Sequence, residues 1–296
     1  MLKQAKNILI RTKEFIAHNP DFVTNSDISN ELNSDILIIT ATPQEFESIK
    51  QEIGELKELE IDSKDSTIYY QARIKGLKES LKVILTYPNG MGIESAINTT
   101  AKAISHFSPN LVLMCGICAG NKNVTQIGDL IIAEKTINYG NVVEIKKKSG
   151  ATNKKFMQSA DSINKTLMAR LTQFSKSVCF ETISKSAFKE FDLKREPKCQ
   201  LGLLVTGSTL IRSDEKMKEI NDSYHGIKGL DMESHGVYFA SSNSNKEKNP
   251  LYFSMKAVSD YGDNRNHKLS SKKRTELALR ISSKSVMAYI QKHFKK

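Results

Sequence analysis

The 296-residue chain has no tryptophan, only four cysteines and six prolines, and aromatic residues make up just 7% of it. It also lacks any uncharged apolar run near the ~18 residues that point to a membrane-crossing helix, which excludes one. The opening residues, MLKQAKNILIRTKEF, carry charges within their apolar run and show no small-residue cleavage site, so no secretory signal is expected. Four scattered cysteines cannot staple a chain of this length, and the expected compartment is a reducing cytoplasm. They do not make a zinc centre either. Cys115-x-x-Cys118 is one pair where a structural site usually draws on two, Cys179 and Cys199 are singles, and the nearest histidine is His106. The glycine and alanine around the pair point instead to a backbone that comes close to a ligand. No metal and no cofactor are expected.

Acidic residues are the other shortage: 33 Asp and Glu stand against 44 Lys and Arg, a net charge of +11. Such a balance fits nucleic acid, an anionic membrane, an anionic small substrate or a lysine-rich solvated surface. The excess gathers in two places, from Arg265 to the end and at Lys146, Lys147, Lys148, Lys154 and Lys155. The basic tail interleaves only Tyr289 and Phe294, too few rings to stack on bases, so a nucleic-acid partner is not expected.

What is present alternates between strand and helix. Residues 1–18 carry apolar positions at helical spacing and end at Asn19-Pro20; residues 1–34 are expected to form a short N-terminal helical extension, with 35–296 as one domain. Ile36–Ile39 is an aliphatic run suited to a strand covered on both faces. Thr42-Pro43-Gln44-Glu45 opens a helix, with a Thr N-cap, proline at the first position and acid in the first turn. Strands are expected at 67–74, 81–87, 111–114, 130–133, 201–206 and 252–258. Helices are expected at 93–106, 159–176, from Asp231 to Ala240 and at 270–294, with Cys115–Gly120 as a small-residue loop. This order predicts an α/β fold, a single three-layer domain with a mixed central sheet flanked by helices. Chemistry is expected where strands end in polar or glycine-rich residues.

Gly90-Met91-Gly92 is not the dinucleotide fingerprint, which needs a third glycine and an acid about twenty residues on. Together with its neighbours it says more. DILIITATPQEFE, NGMGIESAINTTAKAISHFSPNLVLMCGICAG, QIGDLIIAE, GLLVTGSTLI, GLDMESHGVYFA and FSMKAVSDYGD occur in this order over residues 35–293. In these segments the chain resembles the nucleoside phosphorylase/nucleosidase superfamily, especially its methylthioadenosine/S-adenosylhomocysteine nucleosidase branch.

The resemblance implies an N-glycosyl hydrolase acting on a purine nucleoside or nucleotide, with adenine as the base. It puts Asp260 in the place of the acid that protonates the purine and Glu45 in that of the carboxylate that activates water. It puts Glu233 on the ribose hydroxyls and Met232 under the sugar. Gly116 and Ile117 fall in the glycine loop, Leu210, Ile211 and Arg212 beside the base, and Ser259 and Lys256 next to the acid. The chemistry asks for such residues: a departing purine needs a proton, and the oxocarbenium-like sugar needs a positioned water. Glu45 has an alternative role in its own helix cap. Phosphorolysis would need an arginine-built phosphate site. None stands in Thr40–Gln44, so hydrolysis is favoured over a phosphate-dependent phosphorylase; a non-catalytic nucleotide-binding domain is the other alternative.

The chain departs from the nucleosidase pattern at Ile117 for serine, Lys256 for arginine, Leu210 for an aromatic and in a longer 141–200 stretch. The lysines at 146–155, with Arg212, either greet a substrate phosphate or form a solvated loop. The resemblance further implies a homodimer or higher homo-oligomer, and a nucleotide-depleting version would suit an antiphage effector, with residues 1–34 as a docking helix or a brace.

Overall fold

The computed structural model describes residues 32–61, 65–146, 152–156, 160–244, 249–263 and 268–295. The chain divides into two units, Met1–Asn33 and Ser34–Lys296, and the sheet with its helices belongs to the second. The helix expected over 1–18 and Lys147 and Lys148 lie outside the described residues.

Twelve strands and seven helices are described: β1 (Ile36–Ile39), α1 (Pro43–Ile53), β2 (Lys57–Leu59), β3 (Tyr69–Lys75), β4 (Ser80–Thr86), α2 (Ile93–Phe107), β5 (Leu111–Gly120), β6 (Leu130–Asn138), β7 (Val142–Lys146), β8 (Thr152–Phe156), β9 (Ala160–Ser162), α3 (Lys165–Ser175), α4 (Val178–Glu190), β10 (Cys199–Thr206), α5 (Asp214–Ser223), β11 (Ile227–Asp231), α6 (Ser234–Ser242), β12 (Leu251–Asp260) and α7 (Ser271–Lys292). A mixed sheet runs β11-β10-β6-β12-β5-β1-β4-β3-β2, with β9 on β6, while β7 and β8 make a separate two-stranded ladder. The fold is the expected α/β arrangement of a mixed sheet flanked by helices. No helix among the described residues is long and apolar enough to cross a membrane.

The aliphatic runs explain the centre. All four residues of β1 are fully buried between β4 and β5, both parallel to it, as an uninterrupted aliphatic strand requires. The α1 start follows its sequence signal. Thr42 is extended, its hydroxyl accepts from the Glu45 amide at 3.2 Å, the Glu45 carboxylate accepts from the Thr42 amide at 3.1 Å, and Gly54 at φ 92° ends the helix.

Several expected boundaries are corrected. Cys115–Gly120 is not a loop but the second half of β5, because its amides and carbonyls stay paired with β12 from Met255 to Asp260. β6 runs on to Asn138 rather than stopping at Ala133. Asp231 ends a strand, and the helix after it starts only at Ser234. The helix expected over 159–176 is shorter, Lys165–Ser175, with a second helix behind it.

The far end of β5 also turns the sheet back on itself. Gly120 and Ala119 pair with Gly229 and Leu230 of β11, closing a circuit through β5, β12, β6, β10 and β11. A Cβ on Gly229 would lie 2.7 Å from the Ala119 carbonyl oxygen, so only glycine lets the strands approach this closely. The closure brings the ends of β10, β11 and β12 to the side chains at the end of β1.

Candidate active site

Glu45 is the first residue of the site. The capping box fixes its carboxylate at the end of β1: Oε2 accepts from the amides of Ala41 (2.6 Å) and Thr42 (3.1 Å), and Oε1 from the amide of Ile117 (2.7 Å). The same oxygen lies 3.5 Å from the Lys256 ammonium on β12. The capping and site readings of Glu45 thus hold together, since the cap aims the carboxylate at β5 and β12.

Gly116 explains how the approach is possible. A Cβ there would sit 2.0 Å from Glu45 Oε1 and 2.7 Å from Lys256 Nζ. The absence of a side chain at Gly116 makes room for this ion pair.

Lys256 is fully buried. Its second partner is Asp231, with Oδ2 at 3.9 Å. Burial alone would push the ammonium toward neutrality, but the carboxylates of Glu45, Asp231 and Glu233 outweigh it and hold the lysine charged, above its usual range. Asp231 is itself fixed: its Oδ1 accepts from Thr206 Oγ1 at 2.7 Å, and its Oδ2 from the Ser234 amide at 3.0 Å and the Ser234 hydroxyl. Sequence reasoning passed over Asp231. It stands two residues before Glu233, and its pairing with Lys256 across the fold leaves no signal in the local sequence.

Glu233 caps the start of α6 and accepts from the Gly92 amide at 3.0 Å. Burial pushes its carboxyl up to about 7, with Lys256 pulling the other way and Asp231 adding to the rise. The Gly90–Gly92 turn therefore serves as an amide donor to this acid. Met232 is half-buried between the two acids.

At the end of β12 the register shifts between Val258 and Asp260, the mark of a bulge, which re-aims a side chain. Asp260 is half-buried; its Oδ2 accepts from the Ser259 hydroxyl and its Oδ1 from the Gly262 amide, both at 2.8 Å. Ser259 is buried and its hydroxyl also lies 3.3 Å from the Cys118 carbonyl. Ile211 is buried and its carbonyl faces Gly262, whereas Leu210 (62% exposed) and Arg212 stand in solvent. Cys118 marks the centre: burial raises its thiol well above the usual range, and Asp231, Lys256, Asp260 and Glu45 all act on it electrostatically. It was a second residue of this centre that the sequence reading missed, having been weighed only as a zinc ligand.

The structure thus brings Glu45, Glu233, Lys256, Gly116, Ile117, Ser259 and Asp260 around one point. Leu210 and Arg212 lie at its exposed margin. Lys146, Lys154 and Lys155 fall on β7 and β8, where Lys154 pairs in register with Glu144. Among the described residues no cluster of three His, Cys, Asp or Glu stands ready for a metal.

A mixed sheet ending in a buried carboxylate–lysine centre, with a further acid one strand-end away, is the architecture of a small-molecule site at the mouth of an α/β sheet. The chain belongs to the phosphorylase superfamily, whose family model matches residues 35–291. It is 28% identical over 255 residues to a 5'-methylthioadenosine/S-adenosylhomocysteine nucleosidase of Buchnera aphidicola, covering 86% of this chain and 95% of that one. It is 23% identical over 238 residues to the ATP nucleosidase Cap17 of Escherichia coli, covering 77% of this chain. The chain spans about half the length of other curated relatives it matches, 46% for Cap17. Among solved structures, the Colwellia psychrerythraea 5'-methylthioadenosine/S-adenosylhomocysteine nucleosidase in complex with adenine superimposes with a TM-score of 0.66 at 17% identity, over 87% of this chain and 95% of that one.

Proposed function

We propose that the chain is a purine nucleosidase that hydrolyses the N-glycosidic bond of an adenine nucleoside or nucleotide. The observation that carries this reading is the convergence of Glu45, Lys256, Asp231 and Glu233 from three separate segments into one buried centre, with Asp260 at the end of the same strand as Lys256.

In this reading Asp260 gives its proton to N7 of the purine as the bond from the sugar carbon to N9 breaks, so the base leaves with the electron pair as a neutral molecule. Water adds to the oxocarbenium-like carbon and Glu45 takes its proton. Three amides and an ammonium hold the Glu45 carboxylate in place. Water that has begun to bond to a carbocation is strongly acidic and passes its proton to that carboxylate. Glu233 holds the sugar hydroxyls, and Ser259 and Gly262 keep the Asp260 carboxyl aimed. The same three amides at Ala41, Thr42 and Ile117 favour hydrolysis over phosphorolysis: the donors that would cradle an inorganic phosphate are already bound to Glu45.

The similarity to Cap17 supports a nucleotide as substrate, and depletion of adenine nucleotides in antiphage defence is the corresponding biological role. Four free cysteines support a reducing, cytoplasmic setting. Met91 and Leu210, both largely exposed apolar residues, support a homodimer or higher homo-oligomer that covers them. Residues 1–34 are proposed as a separate extension to the catalytic domain. The test is to incubate the chain with adenosine, methylthioadenosine, AMP and ATP, with and without phosphate, and follow free base by chromatography. Adenine released without phosphate is expected; no base from any of the four overturns the reading.

A further inference from the structure

A cleft of about 330 Å³ opens just beyond Asp260, between the loop before β6, the loop between α4 and β10, and the start of α7. Five cations line it, Lys122, Lys194, Arg195, Lys268 and Arg274, with Tyr261 on its wall and a single carboxylate, Asp192. The Asp192 side chain is 94% exposed and meets Lys268 across 3.3 Å, an interaction that water screens to little. Lys122 pairs with Asp214 on the surface, and Arg195 with the buried Asp129. Among the described residues Arg274 and Lys194 meet no carboxylate. Arg274 is half-buried and spends its Nε on the Ser259 carbonyl (3.1 Å) and its Nη1 on the Leu269 carbonyl (2.7 Å).

The local charge is also set against the helix that borders it. Lys272, Lys273 and Arg274 crowd the first turn of α7, which holds no acid, where the positive end of the helix dipole disfavours cations and favours anions. Concave walls lined by one sign of charge concentrate the field within them. Excess positive charge, a half-buried guanidinium without a counter-ion and a helix start all face the same small volume.

We propose that this cleft binds phosphate groups, as a site separate from the base-and-sugar site. Its size suits a monophosphate or diphosphate, with Arg274 as the fork that receives one phosphate and Lys194 and Lys268 adding positive charge to the wall. The phosphate belongs either to a separate effector or to the far end of a nucleotide substrate. Occupancy would reach the chemistry through Arg274, which holds the carbonyl of Ser259, whose hydroxyl holds Asp260; that link rests on Asp260 being the acid, while the binding itself does not.

The experiment is calorimetric titration of the full chain with inorganic pyrophosphate, in low salt, with and without saturating adenine. The expected result is binding that survives adenine and weakens about tenfold or more in the Lys194→Ala/Lys268→Ala double variant, tenfold being 1.4 kcal/mol. No binding, binding displaced by adenine, or binding unchanged in the double variant each overturns the proposal. A steady-state arm separates the sources. A rise in KM for AMP relative to adenosine in the double variant marks the substrate's own phosphate; an unchanged ratio with pyrophosphate-dependent turnover in the parent marks an effector. Because binding is read as heat, a chain that releases no base still decides the proposal.

Discussion

The two ends of the site are built on opposite terms. At one end Glu45, Asp231, Glu233 and Lys256 are all nine-tenths buried or more, and each is tied to backbone amides, hydroxyls or one another. At the other, Asp260 is half-buried at a bulged strand end, and Leu210 and Arg212 face solvent. Burying four ionisable groups is costly unless each finds a partner, so removing any one partner at the closed end should destabilise the domain. The open end carries no such obligation. Stability and chemistry should therefore separate along the site.

The largest expected effect comes from breaking the closed end. Lys256→Met keeps most of the apolar stem and removes the charged end, which leaves three buried carboxylates facing one another. Loss of one partner from a buried ion pair typically costs about 3–5 kcal/mol, and in a domain of this size Tm should fall by about 10 °C or more. Thermal unfolding measures it, and base release should fall with it. A variant as stable as the parent would show that the lysine is not what holds the three acids together.

Asp260→Asn should do the reverse. Loss of a proton-transfer group costs about 10²–10⁴ in rate, while the shape and polarity of the side chain are kept. In the amide the oxygen still accepts from Gly262 and the NH2 group instead donates to the Ser259 hydroxyl. The measurement pairs initial rates of base release with Tm. A Tm loss comparable to that of Lys256→Met would erase the distinction between the two ends.

Glu233 sharpens the comparison through pH. Burial pushes its carboxyl up to about 7 from an ordinary 4.5, so between these values the folded chain keeps a proton that the unfolded chain has released. The stability linked to this group is fully present below about 4.5 and is lost as pH rises through about 7. Glu233→Gln carries no such proton, so its Tm should decline less than that of the parent between about pH 5 and 8. Parallel declines would mean that the acid does not titrate in this window.

The alternation of strands and helices, the capping box at Thr42 and Glu45, and the acids at 45, 233 and 260 were legible because they depend on local pattern and on ordered motifs. What escaped depends on pairing across the fold. Cys115–Gly120 reads as a loop because small residues have little strand preference of their own, and only the ladder to β12 makes them a strand. Asp231 reads as a helix start because its role, to balance Lys256 from another strand, has no local signature. Gly116 was singled out, but for a ligand rather than for the Glu45–Lys256 pair that occupies the space above it. The basic cleft escaped for the same reason: Lys268 and Arg274 belong to the basic stretch from Arg265 onward, but only the fold sets them beside Lys122, Lys194 and Arg195.

The smallest expected effect lies at the open margin. Leu210 is 62% exposed, so Leu210→Ala removes little buried surface, and substitutions at such positions usually stay within about 0.5 kcal/mol. Tm should move by no more than about 2 °C. If Leu210 lies beside the base, as the resemblance implies, the change should appear instead as a rise in KM with kcat kept, since such a residue contributes binding shared by ground and transition states. Measuring both at two protein concentrations makes the result decisive. A large, concentration-dependent loss of Tm would mean that a second copy buries Leu210 in solution, and the margin that looks open in one chain would then be a closed wall built by two.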